Sequence, residues 1–414
     1  MKLNILYISK YVLTPGRGSA GSRGFFLMNQ LAEQGHAVTV VTSDSNHLIA
    51  APVLSSQYLC ERIDALDVFW LRTYKYKSPK SAARIVSWLH FEWLLLFFPW
   101  RKLRRPDVII VSSLSLLTIL NGLVLRYLFR CVLVFEVRDI WPLTLTEEGG
   151  YKFYNPLILV MALVEYLGYR FSDVIVGTMP NLGPHVKDIL GFRKPVSCIP
   201  MGVTTLPLSE SVPLPSDYKA AYLSSDNFVV AHVGTIGATN ALETFFECAD
   251  AMQGYRDISF LLIGSGDLRD SFRSKYRHLH NIKFAPPIPK ELVQEALAHC
   301  DLLYFSVYPS RVWEYGQSLN KLIDYMLSGK PIVASYSGYR SMINEAGCGS
   351  FVPAGNVLDL KNEILRFYCM SPTERREIGT RGRLWLLEHR SYKKLAADYL
   401  EIILKALPGS RCDN

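Results

Sequence analysis

Short blocks of consecutive apolar residues alternate along this chain with longer stretches whose apolar positions recur at helical spacing. Met1 to Lys10, with its short apolar core, predicts a first strand, Phe25 to Gln34 a helix stopped at Gly35-His36, and Ala37 to Thr42 a second strand. Asp107 to Ser113, Cys131 to Phe135 and Val174 to Thr178 read as further buried strands. Helical runs reach Arg130, span Asn155 to Tyr169 and start after Pro180-Asn181. This alternation predicts a doubly wound parallel sheet. From Thr204 to Asp226 Pro and Ser dominate, as in Val212-Pro213-Leu214-Pro215-Ser216, and the stretch reads as a linker. The alternation then restarts. Strands are expected at Phe228 to Val233, Ile258 to Ile263, Ile282 to Phe284 and Leu302 to Val307, with helices at Ala241 to Met252 and Lys290 to His299. Leu395, Tyr399, Ile402, Ile403 and Ala406 then predict a long amphipathic C-terminal helix.

The stretch from Gly316 to Ser335 reads as loop, helix, stop, strand. Leu319, Leu322, Ile323, Met326 and Leu327 make one apolar helix face, Ser318 stands where an N-cap belongs, and Gly329-Lys330-Pro331 is a stop before the buried strand Ile332-Val333-Ala334. The first turn of such a helix leaves N–H groups unpaired, and Lys321 adds a full positive charge. That is a place for a phosphate or pyrophosphate. On these residues alone, an ordinary amphipathic helix capped by serine is the simpler reading.

Two other loops invite chemistry. Thr14-Pro15-Gly16-Arg17-Gly18-Ser19-Ala20-Gly21 follows the first strand, but no acid ends the second strand, where Thr42-Ser43 stand; the dinucleotide fingerprint is therefore not met. The strand ending at Phe135 delivers Glu136-Val137-Arg138-Asp139-Ile140-Trp141-Pro142 to its C-terminal end, where open α/β sheets bind ligands. Glu136, Arg138 and Asp139 are candidates for chemistry, or for a structural ion pair of Arg138 with either acid.

Residues 72–105 carry Arg72, Lys75, Lys77, Lys80, Arg84, Arg101, Lys102, Arg104 and Arg105 against the single acid Glu92. Between them runs the aromatic and aliphatic block Trp88 to Trp100. This composition fits an interfacial segment on an anionic membrane, or a core helix with a solvated basic turn. The net charge of +8 favours an anionic partner; no nucleic-acid motif is present, so a membrane surface is the expected one. Mean hydropathy is +0.13, and no apolar run is long enough to cross a bilayer. The eight cysteines are scattered without a CxxC, which points to a reducing cytoplasm and no zinc. The N-terminus reads as a strand rather than a signal peptide.

With these pieces assembled, nearly the whole chain resembles retaining glycosyltransferases of family 4. Within that family it is most similar to the bacterial lipopolysaccharide and O-antigen subgroup that includes N-acetyl-L-fucosamine transferases. The resemblance rests on Glu136 to Pro142, Ile199-Pro200-Met201-Gly202-Val203, Val233-Gly234-Thr235-Ile236-Gly237, Ile263-Gly264-Ser265-Gly266 and, most specifically, Ser318 to Pro331. It implies a GT-B fold: two Rossmann-like doubly wound parallel-sheet domains facing across a cleft. Residues 1–205 would bind acceptor, 206–226 would link, 227–388 would bind nucleotide sugar, and 389–414 would return towards the first domain.

Carried over by residue, the resemblance implies that the backbone at Leu319, Asn320 and Lys321 holds the diphosphate and that Asp324, the second acid of the family's paired motif, takes the ribose hydroxyls. Pro287-Ile288 would lie against the base, and Gly18 and Ser19 would close over the donor phosphates. Gly234, Thr235, Asn240, Ser318 and Leu322 complete the expected donor site, and Asp139, with Arg138 and Glu136, would face the acceptor hydroxyl or the sugar. Five positions depart from the family pattern, among them Met201 and Thr204, where the family's Asn and Asp would stand around the glycine of its Pro-Asn-Gly-Val turn. Thr235 and Asn240 stand where many members carry basic residues, so the leaving diphosphate needs its charge from Lys321, with Arg17 or Arg23 in reserve. Gly316 stands where the first acid belongs, and Glu314 is two residues off.

The function this implies is transfer of an N-acetylated or 6-deoxy amino sugar from a UDP-linked donor to a lipid-linked saccharide, on the cytoplasmic face of a membrane. No metal or other cofactor is expected, since no DxD is present. Rival readings are a sugar-nucleotide 2-epimerase on the same scaffold, a nicotinamide dehydrogenase, and an inactive sugar-nucleotide-binding protein.

Overall fold

The computed structural model describes residues 1–17, 19, 21–46, 51–76, 81–204, 213–223 and 226–408. Gly18, Lys77, Lys80 and residues 206–212 and 224–225 of the linker expected at 206–226 lie outside them. The chain divides into two compact units, residues 1–204 with the chain from Tyr392 onward, and residues 205–391.

The first unit runs β1 (Asn4–Ile8), α1 (Arg23–Glu33), β2 (Ala37–Ser43), β3 (Tyr58–Ile63), β4 (Leu66–Leu71), α2 (Ala82–Leu96), β5 (Val108–Ser112), α3 (Thr118–Phe129), β6 (Val132–Val137), α4 (Leu143–Glu147), α5 (Pro156–Phe171), β7 (Val174–Gly177), α6 (Leu182–Leu190) and β8 (Val196–Cys198). The sheet order is β3-β4-β2-β1-β5-β6-β7-β8, with every pairing parallel except the edge hairpin β3–β4. The chain moves one way from β1 to β2 and the other way from β5 to β8. Right-handed crossovers therefore place α1 on one face and α2, α3, α5 and α6 on the other. The hydrophobic pattern misses β3 and β4. Tyr58-Leu59-Cys60-Glu61-Arg62-Ile63 mixes charge with bulk because this edge strand is largely exposed.

The second unit runs α7 (Ser216–Tyr218), β9 (Phe228–Val233), α8 (Glu243–Ala251), β10 (Ile258–Ile263), α9 (Arg269–Lys275), β11 (Ile282–Ala285), α10 (Val293–Ala298), β12 (Leu302–Ser306), α11 (Asn320–Leu327), β13 (Ile332–Ser335), α12 (Met342–Ala346), β14 (Gly349–Val352), α13 (Val357–Cys369) and α14 (Pro372–Arg390). Its six strands are all parallel in the order β11-β10-β9-β12-β13-β14. Direction reverses between β9 and β12, and ligands of such sheets bind outside the strand ends at that reversal. Both units are Rossmann-like α/β folds.

The last helix, α15 (Tyr392–Ala406), belongs to the first unit. Tyr392, Leu395, Ala396, Tyr399 and Ile403 are buried with Phe25, Leu27 and Met28 of α1 against the sheet. Removing each large apolar side chain among them from water contributes roughly 1.5–3 kcal/mol.

Candidate functional site

In the second unit the loop after β9 meets the start of α11. Tyr325 ties α11 to the end of β9, and Gly264 brings the loop after β10 against the loop after β9. Tyr325 of α11 donates through its hydroxyl to the Val233 carbonyl (3.0 Å) and accepts from the Val233 amide (2.8 Å). Gly264, after β10, has a φ of +153°, and a Cβ there would overlap the Gly234 carbonyl, so only glycine lets the two loops approach this closely.

Lys321, in the first turn of α11, reaches across to this loop. Its Nζ donates to Asn240 Oδ1, while Asn240 Nδ2 donates to the Thr235 carbonyl at 2.9 Å. The Ser306 hydroxyl holds the Asn240 carbonyl at 2.6 Å. Gly234, Thr235, Asn240 and Lys321 are thus brought together. Burial pulls the Lys321 pKa down to about 8, and its partner is a neutral amide rather than a carboxylate. His232, buried on β9 beside it, is held neutral: burial, and then the Lys321 charge, lower its pKa to about 3.

The helix start differs from the expectation. The N-cap is Leu319, not Ser318, and no side chain caps the first turn. The Ser318 hydroxyl is instead buried without a partner, as are both polar atoms of the Gln317 amide, a residue only 8 % exposed. Leu322 is corrected as a phosphate contact: its side chain is wholly buried and its amide is taken by the Leu319 carbonyl. Leu319 and Asn320 remain at the open end of the helix, with Asn320 exposed. Gly316 has a φ of +104° and is buried, so the backbone there requires glycine and excludes the acid of the family pattern. Glu314 lies exposed on the 3-10 turn Arg311–Tyr315. Nothing in the sequence singled out Gln317; its signal is buried, unpaired polarity.

Asp324, one turn along α11, pairs with Lys290, and burial raises its pKa against that pull. Lys290 directly follows the loop Pro286-Pro287-Ile288-Pro289, in which Ile288 is half-buried. Tyr218 of α7 donates to the Pro286 carbonyl at 2.9 Å. A ribose at Asp324 must share or displace the Lys290 ammonium.

In the first unit Arg138 and Asp139 follow β6. The Arg138 amide donates to Ser113 Oγ (2.9 Å), its carbonyl accepts from Thr178 Oγ1 (3.2 Å), and its guanidinium lies 3.8 Å from the Met201 sulfur. Asp139 reaches solvent; the protein crowded around its carboxyl raises its pKa, opposed chiefly by Arg138 and more weakly by Arg84 of α2. Arg84, read from the sequence only as part of a basic stretch, stacks over Trp88 (5.0 Å) and Tyr11 (5.7 Å).

Glu136 is corrected. It is wholly buried and paired with Arg23, itself wholly buried, at 2.8 Å, not with Arg138. Tyr7 and Tyr399 hydroxyls lie 3.3 and 3.4 Å from its oxygens. Arg23 also donates to the Pro200 and Ile199 carbonyls at 3.0 and 2.6 Å. That enclosure removes Glu136 from substrate contact and removes Arg23 as a reserve for the diphosphate. Arg17 is likewise engaged, both Glu61 oxygens accepting from it at 2.9 Å. Ser19 Oγ accepts from the Gly21 amide at 3.0 Å. Lys10, just past β1, is a buried cation the sequence did not reveal; it donates to Ser87 Oγ of α2 at 2.9 Å, and burial lowers its pKa to about 7. A cavity of about 490 Å³ lined by Lys2, Asn4, His36 and Arg104 opens at the N-terminal ends of β1 and β2, the opposite end from these residues.

Comparison with known proteins places the chain among glycosyltransferases. Residues 25–205 match the model described as Glycosyltransferase Family 4, and residues 227–369 the model described as Glycosyl transferases group 1. No curated protein matches the sequence. Among solved structures, sucrose-phosphate synthase from Thermosynechococcus elongatus superposes with a TM-score of 0.72 at 17% identity, covering 98% of this chain and 99% of that one. Anabaena HepE in complex with UDP and glucose gives 0.63 at 14%, covering 97% and 100%. The catalytic domain of Arabidopsis thaliana starch synthase IV bound to ADP and acarbose gives 0.69 at 11%, covering 98% and 99%. At these identities the structural likeness speaks for the fold.

Proposed function

The chain is a glycosyltransferase of GT-B architecture, and we propose that it moves a sugar, with retention of configuration, from a UDP-linked donor to a lipid-linked saccharide at a membrane surface. Its product belongs to an O-antigen or a related bacterial polysaccharide. The observation that carries the donor half is Lys321: a half-buried cation at an uncapped helix start, beside a glycine loop, with a neutral amide as the partner of its charge among the described residues. Such a charge is completed by an anion. A diphosphate seated there receives Lys321 and the first-turn N–H groups together. As the bond from sugar to phosphate breaks, the departing diphosphate gains negative charge, and these fixed donors stabilise the transition state more than the ground state.

The remaining roles follow from position. Asp324 and the loop at Ile288 take the ribose and base. The orphaned Gln317 amide and Ser318 hydroxyl supply donors and acceptors for sugar hydroxyls, in place of the acid that Gly316 cannot be. Asp139, with its raised pKa and solvent access, receives the acceptor proton, and Arg138 orients the acceptor. The relatives found with UDP and glucose, or with ADP, support a nucleotide-sugar donor.

Calorimetric titration with UDP, GDP and dTDP tests the donor site, followed by product analysis from the matching sugar nucleotide. UDP binding with sugar transfer to a lipid-linked acceptor is expected. Epimerised donor without acceptor would establish the epimerase reading, and binding of none of the three would defeat the proposal.

A further inference from the structure

The two helical layers of the first unit differ on their outer faces. α15, which packs on α1, shows Lys393, Lys394, Glu401 and Lys405 to solvent, an ordinary charged exterior. The opposite layer does not. Its helices touch in the order α2, α3, α5. On α2 the inward positions are Ser87, Phe91, Glu92 and Leu95, while Leu89, Trp93 and Phe97 at the helix end point outward, Trp93 59% and Phe97 68% exposed. Tyr127 and Leu128 of α3 are 88% and 61% exposed, and Leu163 of α5 is 58% exposed. With Val124 on α3 and Val160 on α5, also exposed, Leu89/Trp93/Phe97, Val124/Tyr127/Leu128 and Val160/Leu163 follow helical spacing, so three neighbouring helices turn an apolar stripe to water. Single exposed apolar residues are ordinary; a continuous face spanning three helices marks an interaction surface.

Charge decides the partner. The three helices contain two acids, Glu92 and Glu165, and both are buried: Glu92 accepts from Ser115, Thr118 and Asn121, and Glu165 pairs with His185. No carboxylate on these three helices is therefore exposed; Asp173, just past α5, is exposed but pairs with Arg126 of α3. Beyond the ends of α2 and α3 stand Arg101, Lys102, Arg104, Arg105 and Arg130, all exposed. Among the described residues no helix is long and apolar enough to cross a membrane. An apolar face whose helices expose no acid, and whose bordering exposed charges are mostly basic, fits the headgroup and upper acyl region of an anionic bilayer.

We propose that the outer face of the α2–α3–α5 layer lies in the surface of an anionic bilayer, so that docking uses the whole layer and not only the basic stretch around α2. This rests on the membrane part of the reading above and not on the donor site. With the sheet face parallel to the lipid, α3 and α5 contribute as much apolar contact as α2.

The test is sedimentation of the full chain with vesicles of phosphatidylcholine, alone or mixed with phosphatidylglycerol, at rising salt. Wild type is expected to bind the mixed vesicles, more weakly as salt rises. Val160→Asn with Leu163→Asn, outward on α5 and remote from the basic stretch, should lower the partition coefficient about tenfold. Arg101→Gln with Arg104→Gln should flatten the salt dependence. UDP titration of each variant should match wild type, which separates this proposal from the donor site. Three results would overturn it: unchanged partitioning of the α5 variant, binding indifferent to phosphatidylglycerol and salt, or a self-associating wild type that the α5 variant turns monomeric without any change at vesicles.

Discussion

Replacing Lys321 by Met keeps most of the side-chain volume and removes the charge. Burial lowers the Lys321 pKa from 10.5 to about 8, so the protonated form is held at a cost. At 1.36 kcal/mol per unit that cost is about 3 kcal/mol at neutral pH. Loss of the bond to Asn240 returns about 1 kcal/mol, leaving the free variant more stable by about 2 kcal/mol. For a unit of this size the transition moves up by about 4–8 °C. The sign with pH follows from the lowered pKa. Between pH 8 and 10.5 the unfolded chain binds the extra proton, so wild-type stability climbs through that window and the Met variant lacks the climb. Binding moves the other way: removing the cation from the diphosphate should weaken UDP by 100-fold or more, about 3 kcal/mol. Calorimetric unfolding of the free proteins at several pH values, with UDP titration at pH 7, reads both quantities. A variant less stable than wild type, or one that binds UDP as tightly, would refute the assignment of Lys321 as a charge held ready for an anion.

The other predictions use the same site. Wild-type UDP affinity should hold below about pH 8 and fall as pH rises through it, because the free enzyme must then take up a proton to bind; a flat profile to pH 10 would contradict this. Asp139→Asn should reduce turnover by about 10²–10⁴-fold with UDP affinity unchanged, measured by steady-state transfer beside titration. Gln317→Ala should leave UDP binding intact and weaken the full sugar nucleotide, which a paired titration of the two ligands reads. Glu136→Gln strands the buried Arg23 charge and should cost about 3–5 kcal/mol of stability, seen as a lower melting temperature of the first unit, and equal melting would show that the pair is not needed.

The sequence by itself determined the repeated α/β plan. Buried parallel strands need continuous apolar blocks, helices between them need a single apolar stripe, and both periods are local properties of the chain. It likewise determined that Lys321 belongs to the first turn of a helix, within one turn, because Gly329-Lys330-Pro331 fixes where that helix stops. It was weaker at the sheet edge, where β3 has no buried residue to impose a pattern. Only the tertiary structure decided which charged residues are free to act. Glu136 and Asp139 stand three residues apart on one stretch, yet the first is sealed with Arg23 inside the fold and the second meets solvent. Only folding put Asn240 against Lys321 across 81 positions and left the Gln317 amide without a partner. Pairing and burial are long-range outcomes of packing, and neither residue type nor spacing carries them.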